Sequence, residues 1–180
     1  MRNLENLPEI ELTDGVVSLK PFQLADAPAH LAGEDEEQVK WLGEGNKSTQ
    51  QIVESWIVRN QKSWVEGGPV FSFAVRTVAD DQQIGQVEVK TKSDKPGDFE
   101  PGEANVSYSL YPAGRGRGLA TRAVTLLEPF MREKGVKRAL IRVDPENKAS
   151  LSVPPRCGYT EQGIIHRKDE TLVSFSKELS

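Results

Sequence analysis

Apolar and polar residues alternate along several short segments of the chain, which is the pattern of β-strands that bury one face. Most of these segments are bounded by glycine, proline or aspartate, the residues that favour turns. The predicted strands cover residues 15–22, 70–77, 83–90, 104–111, 138–143, 163–167 and 170–177. Asp80 and Asp81 lie between the second and third of these strands, so we expect that pair to form a hairpin.

Two other segments repeat their apolar residues at the period of a helix. The first begins after Ser48 or Thr49, either of which can cap a helix, and it ends at Gly67. The second covers residues 119–134 and carries its apolar residues on one face. Pro129 lies inside it, and we expect a kink there because proline cannot donate the helical hydrogen bond. Shorter helices are expected within residues 26–40 and from residue 147.

The order of these elements predicts one domain with a parallel crossover. Strands 104–111 and 138–143 are joined through helix 119–134. Such a connection makes the two strands parallel, and the crossover itself is right-handed. The chain has 180 residues, which is close to the size of one domain, and it contains no linker-like stretch. We therefore expect a single domain over residues 1–180.

Composition and charge exclude several classes of protein. The net charge is −4, from 27 acidic and 23 basic residues, which argues against a nucleic-acid binder. Mean hydropathy is −0.51 and no long apolar run exists, so no membrane partner is expected. Residues 1–10 lack the apolar segment of a signal peptide, so we expect a cytoplasmic protein. One cysteine and two histidines predict neither a disulfide nor a Cys/His metal site.

The clearest candidate for chemistry is the glycine loop, residues 114–118, which joins a predicted strand to a predicted helix. The first amides of a helix lack partners and face outward at the positive end of its dipole, so they attract phosphate. Gly116 and Gly118 let a ligand approach the backbone, and Arg115 and Arg117 add positive charge. A tight turn without a ligand is the alternative.

Two common phosphate-binding designs fit this loop poorly. A P-loop requires a Lys-Ser or Lys-Thr pair after its last glycine, and none follows here. A dinucleotide-binding site requires a third glycine, where this chain has Thr121, and a longer series of parallel units after it. An oxidoreductase that binds NAD or FAD is therefore weakly supported.

A third design fits better. The segment 115–120, Arg-Gly-Arg-Gly-Leu-Ala, resembles the R/Q-x-x-G-x-G/A signature of the GNAT family of N-acetyltransferases. Three other segments also resemble family elements in the same order: Tyr111-Pro112, the N-x-x-S pattern of residues 147–150, and Cys157-Gly158-Tyr159. The likeness is strongest over residues 104–163 and favours the Rim-type branch, the ribosomal-protein N-terminal acetyltransferases.

This resemblance implies an α/β (α+β) fold, the GNAT fold. Its mixed, mostly antiparallel sheet would have about six to seven strands, helices on both faces and a central parallel β-α-β crossover. It also implies acetyl-CoA as co-substrate and no metal. The backbone amides of Gly116, Arg117, Gly118, Leu119, Ala120 and Thr121 would hold the pyrophosphate. Leu110 and Tyr111 would pair with the pantetheine arm between splayed strands, with Asn147 and Ser150 near the arm or the thioester.

The catalytic acid and base are where the chain departs from the family pattern. Many relatives carry a tyrosine seven residues after the asparagine, where this chain has Pro154, so the hydroxyl of Ser150 is the substitute acid. Glu103 or Glu88 can serve as base through a water molecule, although each can equally be a solvated carboxylate. We expect His30 and His166 to be structural, and Cys157 to be a buried apolar residue rather than a nucleophile.

These features predict an N-acetyltransferase that uses acetyl-CoA and acts by direct attack in a ternary complex. The acceptor is a primary amine, either a protein N-terminus or a small molecule. The acidic run of residues 34–37 near Trp41 can attract a cationic amine, or can simply be a solvated helix face. A non-catalytic acyl-CoA-binding or regulatory domain of the same fold is the alternative, and the chain is expected to be a monomer or a homodimer.

Overall fold

A computed structural model describes residues 1–42 and 45–179. They form one eight-stranded sheet in the order β1-β2-β3-β4-β5-β6-β8-β7. The strands are β1 Leu12–Thr13, β2 Val17–Pro21, β3 Val70–Thr77, β4 Gln83–Lys90, β5 Glu103–Leu110, β6 Arg138–Val143, β7 Thr160–His166 and β8 Thr171–Glu178. The helices are α1 Ala27–Gly33, α2 Glu36–Leu42, α3 Gln50–Val65, α4 Leu119–Glu133, α5 Lys148–Leu151 and α6 Val153–Arg156.

The mixed, mostly antiparallel sheet expected from the sequence is confirmed. Neighbouring strands within the described ranges are antiparallel except β5 and β6, which are parallel and joined through α4. The strand count exceeds the expected six to seven because Leu12 and Thr13 pair with β2. Two residues are too few for an alternating pattern to be recognised. β7 begins at Thr160 rather than Gly163, and its pairing with β8 shifts register between Glu161 and Gly163.

Helix α4 packs on one face of the sheet and forms the larger part of the core. Its apolar face is buried, as the helical spacing predicts, and Leu127 and Met131 are fully inaccessible. The sheet contributes Phe71 and Phe73 from β3, whose rings pack against Trp64 of α3 and Phe130 of α4. The full set of buried residues from α4 is Leu119, Ala123, Val124, Leu127, Glu128, Phe130 and Met131.

Helices α1 and α3 cover the opposite face, so helices lie on both sides of the sheet. A smaller apolar cluster holds them in place, with Phe22, Val53 and Ile57 buried against Ala74 of β3. Thr49 caps α3, because its hydroxyl accepts a hydrogen bond from the Ile52 amide. Trp56 packs partly buried against this cluster, in agreement with its position on the apolar face of the predicted helix.

The prolines shape two helices differently. Helix α4 continues from Leu119 to Glu133 with Pro129 inside it. The segment after Asn147 forms two short turns, α5 and α6, and the second contains Pro154 and Pro155 near its start, where a missing amide proton is tolerated. The first of these turns ends at Leu151, two residues before the segment that carries the proline pair. No helix in the described ranges is long and apolar enough to span a membrane.

Candidate active site

The parallel strands β5 and β6 separate along their length and leave a gap in the middle of the sheet. They pair only where Glu103, Ala104 and Asn105 face Arg138, Ala139 and Leu140. Beyond that point β5 stays paired with β4 through Leu110, and β6 stays paired with β8 through Val143. Each strand is thus held by its outer neighbour while their inner edges face each other without a ladder. The splayed cleft that the resemblance implies is present.

Alternate residues of β5 turn their backbone groups toward this gap. The Tyr111 amide donates to the Ile84 carbonyl oxygen at 2.8 Å, on the β4 side. Successive residues of an antiparallel strand turn their backbone groups to opposite edges, so those of Leu110 and Tyr108 face the gap. The Tyr111 amide is therefore engaged within the sheet, contrary to the expectation that it pairs with a pantetheine arm, and the residues at this end of β5 that face the gap are Leu110 and Tyr108.

The glycine loop ends in a row of amides without partners. A 3-10 turn over Pro112–Gly114 uses the amides of Gly114 and Arg115, which donate to the carbonyl oxygens of Tyr111 and Pro112. From Gly116 to Thr121, no backbone amide has an acceptor among the residues that the structure describes. These six amides, the loop amides, precede the first bonds of α4, so they lie at the positive end of its dipole.

The two loop glycines have a conformational role and leave open space in front of the backbone. Gly116 and Gly118 have φ values of +70° and +71°, a region that disfavours other residues. A Cβ atom built on either would meet nothing within 4 Å. At Gly114, in contrast, a Cβ atom would lie 3.0 Å from the Ile84 carbonyl oxygen, a tight contact that favours glycine there. The surface above the loop amides is thus free for a ligand.

Arg115 does not offer a free positive charge, contrary to the expectation from the sequence. Its guanidinium forms a two-pronged contact with Asp35, with nitrogen–oxygen distances of 2.6 and 2.9 Å, and Nε donates to the Leu110 carbonyl oxygen at 2.9 Å. Glu37 adds a carboxylate oxygen at 3.1 Å. Arg117 is exposed, and it donates to the Ala113 carbonyl oxygen at 3.3 Å. Arg117 is therefore the arginine of the loop without a carboxylate partner among the described residues.

The acidic run is largely engaged within the protein. The hydrogen bonds from Arg115 lower the pKa of the Asp35 carboxyl to about 2. Glu37 shares the same guanidinium, and Glu34 accepts a hydrogen bond from the Ser48 amide at 2.7 Å. Only the exposed Glu36 is left without a described partner. The single Arg115 guanidinium offsets one of the four negative charges of the run.

Asn147 and Ser150 are brought together at the far side of the gap, but Asn147 is used structurally. Its Oδ1 atom accepts a hydrogen bond from the Ser150 amide and caps α5. The Ser150 hydroxyl lies 3.2 Å from the hydroxyl of Tyr108, which donates to the Ser150 carbonyl oxygen at 2.7 Å. Tyr108 thus reaches from β5 across the gap to α5, and burial raises the pKa of its hydroxyl.

The two candidate bases, Glu103 and Glu88, lie at different positions relative to the gap. Glu103 lies at the first rung of the β5–β6 pair, in an ion pair with Arg138 at 3.0 Å. The rise of a strand puts it roughly 23 Å from Leu110 at the other end of β5, a distance that argues against Glu103 as the base of a site at that end. Glu88 lies on β4 opposite Ser107, just past the point where the strands separate. It accepts a hydrogen bond from Ser72 at 2.6 Å, on the face away from α4.

The histidines and the cysteine take the structural places expected of them. His30 stacks on Trp56, and its Nδ1 atom lies 2.6 Å from the Tyr111 hydroxyl. Gln83 donates to that hydroxyl at 2.9 Å, so the proton of the Tyr111 hydroxyl is directed to His30. Burial lowers the pKa of His30 and favours the neutral ring that this bond needs. His166 is exposed at the end of β7, and Cys157 is buried with its pKa raised by burial.

Sequence reasoning missed Tyr108 and Asp35. A tyrosine on the apolar face of a strand needs a partner for its hydroxyl, and this signal could have directed attention to Tyr108. Asp35 precedes α2, and its Oδ1 atom accepts a hydrogen bond from the Gln38 amide, the pattern of a helix cap. That pattern predicts the cap but says nothing about Arg115.

Comparison with known proteins agrees with this geometry. Residues 17–160 match the model of the acetyltransferase (GNAT) domain family. A mycothiol acetyltransferase from Nocardia farcinica is 29% identical over 154 residues, which are 85% of this chain and 48% of that protein. The chain therefore spans about half the length of this curated relative.

Solved structures show the same fold at low identity. The ribosomal-protein-S5-alanine acetyltransferase from Vibrio fischeri superimposes with a TM-score of 0.75 at 19% identity, over 96% of this chain and 98% of that one. The microcin C7 self-immunity acetyltransferase, solved with acetyl-CoA and AMP, gives 0.74 at 18% identity, over 94% and 96%. An aminoglycoside acetyltransferase solved with coenzyme A gives 0.73 at 18% identity, over 90% and 94%.

Proposed function

Since the chain belongs to the acetyltransferase (GNAT) family, we propose that it transfers an acetyl group from acetyl-CoA to a primary amine. The observation that carries this proposal is the row of unpaired loop amides, residues 116–121, at the start of α4 beside the gap between β5 and β6. We treat residues 1–180 as one such domain. The acceptor is a small-molecule amine or a protein N-terminus.

The loop fits the diphosphate of CoA on two counts. The amides have no competing acceptor in the described chain, and the two glycines leave open space in front of them. Each anion contact at a helix N-terminus contributes about 0.3–1 kcal/mol, so several amides acting together supply a few kcal/mol. The Leu110 amide and the backbone groups of Tyr108 then bind the pantetheine arm as an added strand. Ser150 lies at the opposite wall of the gap.

Glu88 is the base in this proposal. Acetyl-CoA supplies the acetyl group as a thioester, which an uncharged amine nitrogen can attack. An ammonium acceptor must first lose a proton, and the Glu88 carboxylate can take it, directly or through a water molecule. Its hydrogen bond from Ser72 fixes the carboxylate on the face of the sheet away from α4, next to Ser107. The acceptor would therefore enter from the side of α1 and α2.

Ser150 is the proton donor for the departing thiolate. The Tyr108 proton is held by the Ser150 carbonyl oxygen, whereas the Ser150 hydroxyl is a donor on a rotatable bond at the edge of the gap. For this donation the hydroxyl turns from Tyr108 to the sulfur, and a water molecule returns a proton to the serine oxygen as the thiolate takes one. Asn147 supports the serine by capping α5 and takes no proton itself.

A second candidate function is acyl-CoA binding without turnover. It is favoured by Pro154, which occupies the place of the tyrosine acid implied by the family resemblance. Both functions predict CoA binding, and only the first predicts release of free thiol.

A thermal-shift and thiol-release screen tests the proposal. A ligand at 100 times its Kd stabilises the folded state by about 2.7 kcal/mol, which should raise the Tm by roughly 5–10 °C at this chain length. We expect that rise with acetyl-CoA and not with NAD or FAD. Free thiol should appear when aminoglycosides, other primary amines or N-terminal peptides are added. A rise without thiol release from any amine supports the binding function, and no rise with acetyl-CoA refutes both.

A further inference from the structure

We propose that Asp35 is a positioning residue for the CoA site, which holds the phosphate-binding loop in shape through the side chain of Arg115. This inference rests on the proposed function, because it assigns a role to a residue outside the CoA contacts. Asp35 lies at the start of α2, a helix on the side from which the acceptor would enter. Its only described contact with the loop is the two-pronged bond with Arg115.

The geometry makes Arg115 a clamp between three parts of the site. Its Nε atom donates to the carbonyl oxygen of Leu110 at the end of β5, and its two terminal nitrogens bond Asp35. The next residue in the chain is Gly116, which carries the first of the loop amides. Fixing the Arg115 side chain therefore fixes the direction in which the backbone enters the diphosphate site.

Asp35 is itself rigidly placed, which a clamp requires. Its Oδ1 atom accepts a hydrogen bond from the Gln38 amide within the first turn of α2. The Gln38 side chain is buried and donates to the Ser109 hydroxyl of β5 at 2.5 Å. Helix α2 is thus attached to β5 through Gln38 and to the loop through Asp35.

Mutation of Asp35 should change the Kd for CoA in opposite directions, depending on whether the residue acts through its charge alone or by positioning the loop. Removing a negative charge beside an anion site, and releasing an arginine there, should strengthen the binding of a diphosphate. If the charge instead holds the loop in its binding shape, its removal must weaken that binding, because part of the binding energy is then spent on ordering the loop. The sign of the change in Kd separates the two explanations.

The test compares Asp35→Asn with Glu36→Gln by calorimetric titration with CoA. Glu36 is adjacent on the same helix, carries the same charge and is exposed without a described partner, so its variant controls for net charge. We expect Asp35→Asn to raise the Kd for CoA about fivefold, which corresponds to ~1 kcal/mol, and Glu36→Gln to leave it unchanged or slightly lower. A lower or equal Kd for Asp35→Asn overturns the inference.

Two further measurements keep the test specific to the diphosphate. S-Acetylpantetheine lacks the diphosphate, so Asp35→Asn should lower kcat/KM much less with this thioester than with acetyl-CoA. An equal loss with both substrates overturns the positioning role. Arg115→Lys keeps the charge but cannot form the two-pronged bond, and we expect the same rise in Kd. Arg115→Lys also replaces Asp35→Asn in the test if that variant does not fold.

The proposed function and the inference fail in distinguishable ways. If the wild type itself binds no CoA, both fail. If the wild type binds CoA tightly and Asp35→Asn binds it equally well, the inference alone fails.

Discussion

Replacing Gly118 by aspartate is the sharpest test of the loop amides. Gly118 precedes the first residue of α4, has a φ of +71° and faces open space, so an added side chain meets no neighbour in the described chain. We expect its carboxylate to lie close to a diphosphate held by the loop amides. Two effects follow from the substitution. One is backbone strain, which acts on folding, and the other is a carboxylate next to the ligand, which acts on binding.

The two effects differ in size. A side chain in the left-handed region costs ~1 kcal/mol of unfolding free energy, and for a chain of this length that lowers the Tm by roughly 2–4 °C. Two unit charges about 5 Å apart repel by ~3 kcal/mol at an effective dielectric constant of about 20. A repulsion of this size weakens CoA binding about 100-fold. The protein should therefore remain folded while its affinity for CoA is largely lost.

Matched variants separate strain from charge. Gly135 follows α4 at its other end, has a φ of +79° and also faces open space, so Gly135→Ala reproduces the strain away from the site. Gly118→Ala adds the strain at the site without the charge. Calorimetric titration with CoA and a melting curve are measured for all three. A Gly118→Asp variant that binds CoA as tightly as Gly135→Ala would refute the assignment of the diphosphate to these amides.

Three further predictions concern the proton-transfer groups and His30. Glu88→Gln should lower kcat about 100-fold in the thiol-release assay, whereas Glu103→Gln should leave kcat within twofold; equal losses would contradict the choice of base. Ser150→Ala should lower kcat at least tenfold and Tyr108→Phe by less, and wild-type turnover in Ser150→Ala would remove the serine from the acid role. Because the pKa of His30 is lowered from 6.5, the unfolded chain takes up a proton first as the pH falls, so the Tm should decrease below about pH 6.5. His30→Gln should lack this part of the decrease, and an identical pH profile for the variant would show that His30 is not its source.

Much of the fold follows from local patterns in the sequence. The alternation along β3 to β6 and the apolar face of α4 set which residues are buried, and the strand-loop-helix-strand order dictates the parallel pair. The loop amides are predictable for the same reason, since the first residues of any helix lack acceptors. What the pattern could not supply was the point at which β5 and β6 separate, so the position of Glu103 at the paired end of the strands was not foreseen.

The contacts that shape the site join residues far apart in the chain. Asp35 and Arg115 are separated by 80 positions, and His30 and Tyr111 by 81. Neither pair belongs to a periodic pattern, and each depends on how α1 and α2 settle on the sheet. The expectation that Arg115 offers a free positive charge came from its neighbours in the sequence. The contact with Asp35 in the folded chain contradicts it.

The separation of β5 and β6 divides the sheet into two blocks, one built on β1 to β5 and the other on β6, β8 and β7. In the described ranges the backbone joins the blocks at this seam through three rungs, the Lys137 amide that donates to the Gly102 carbonyl oxygen, and helix α4. Side chains such as Tyr108 also reach across it. A cofactor lying in the seam would contact both blocks and hold them together. The amide protons of Tyr108 and Leu110 should then exchange with deuterium far more slowly in the loaded protein than in the free one.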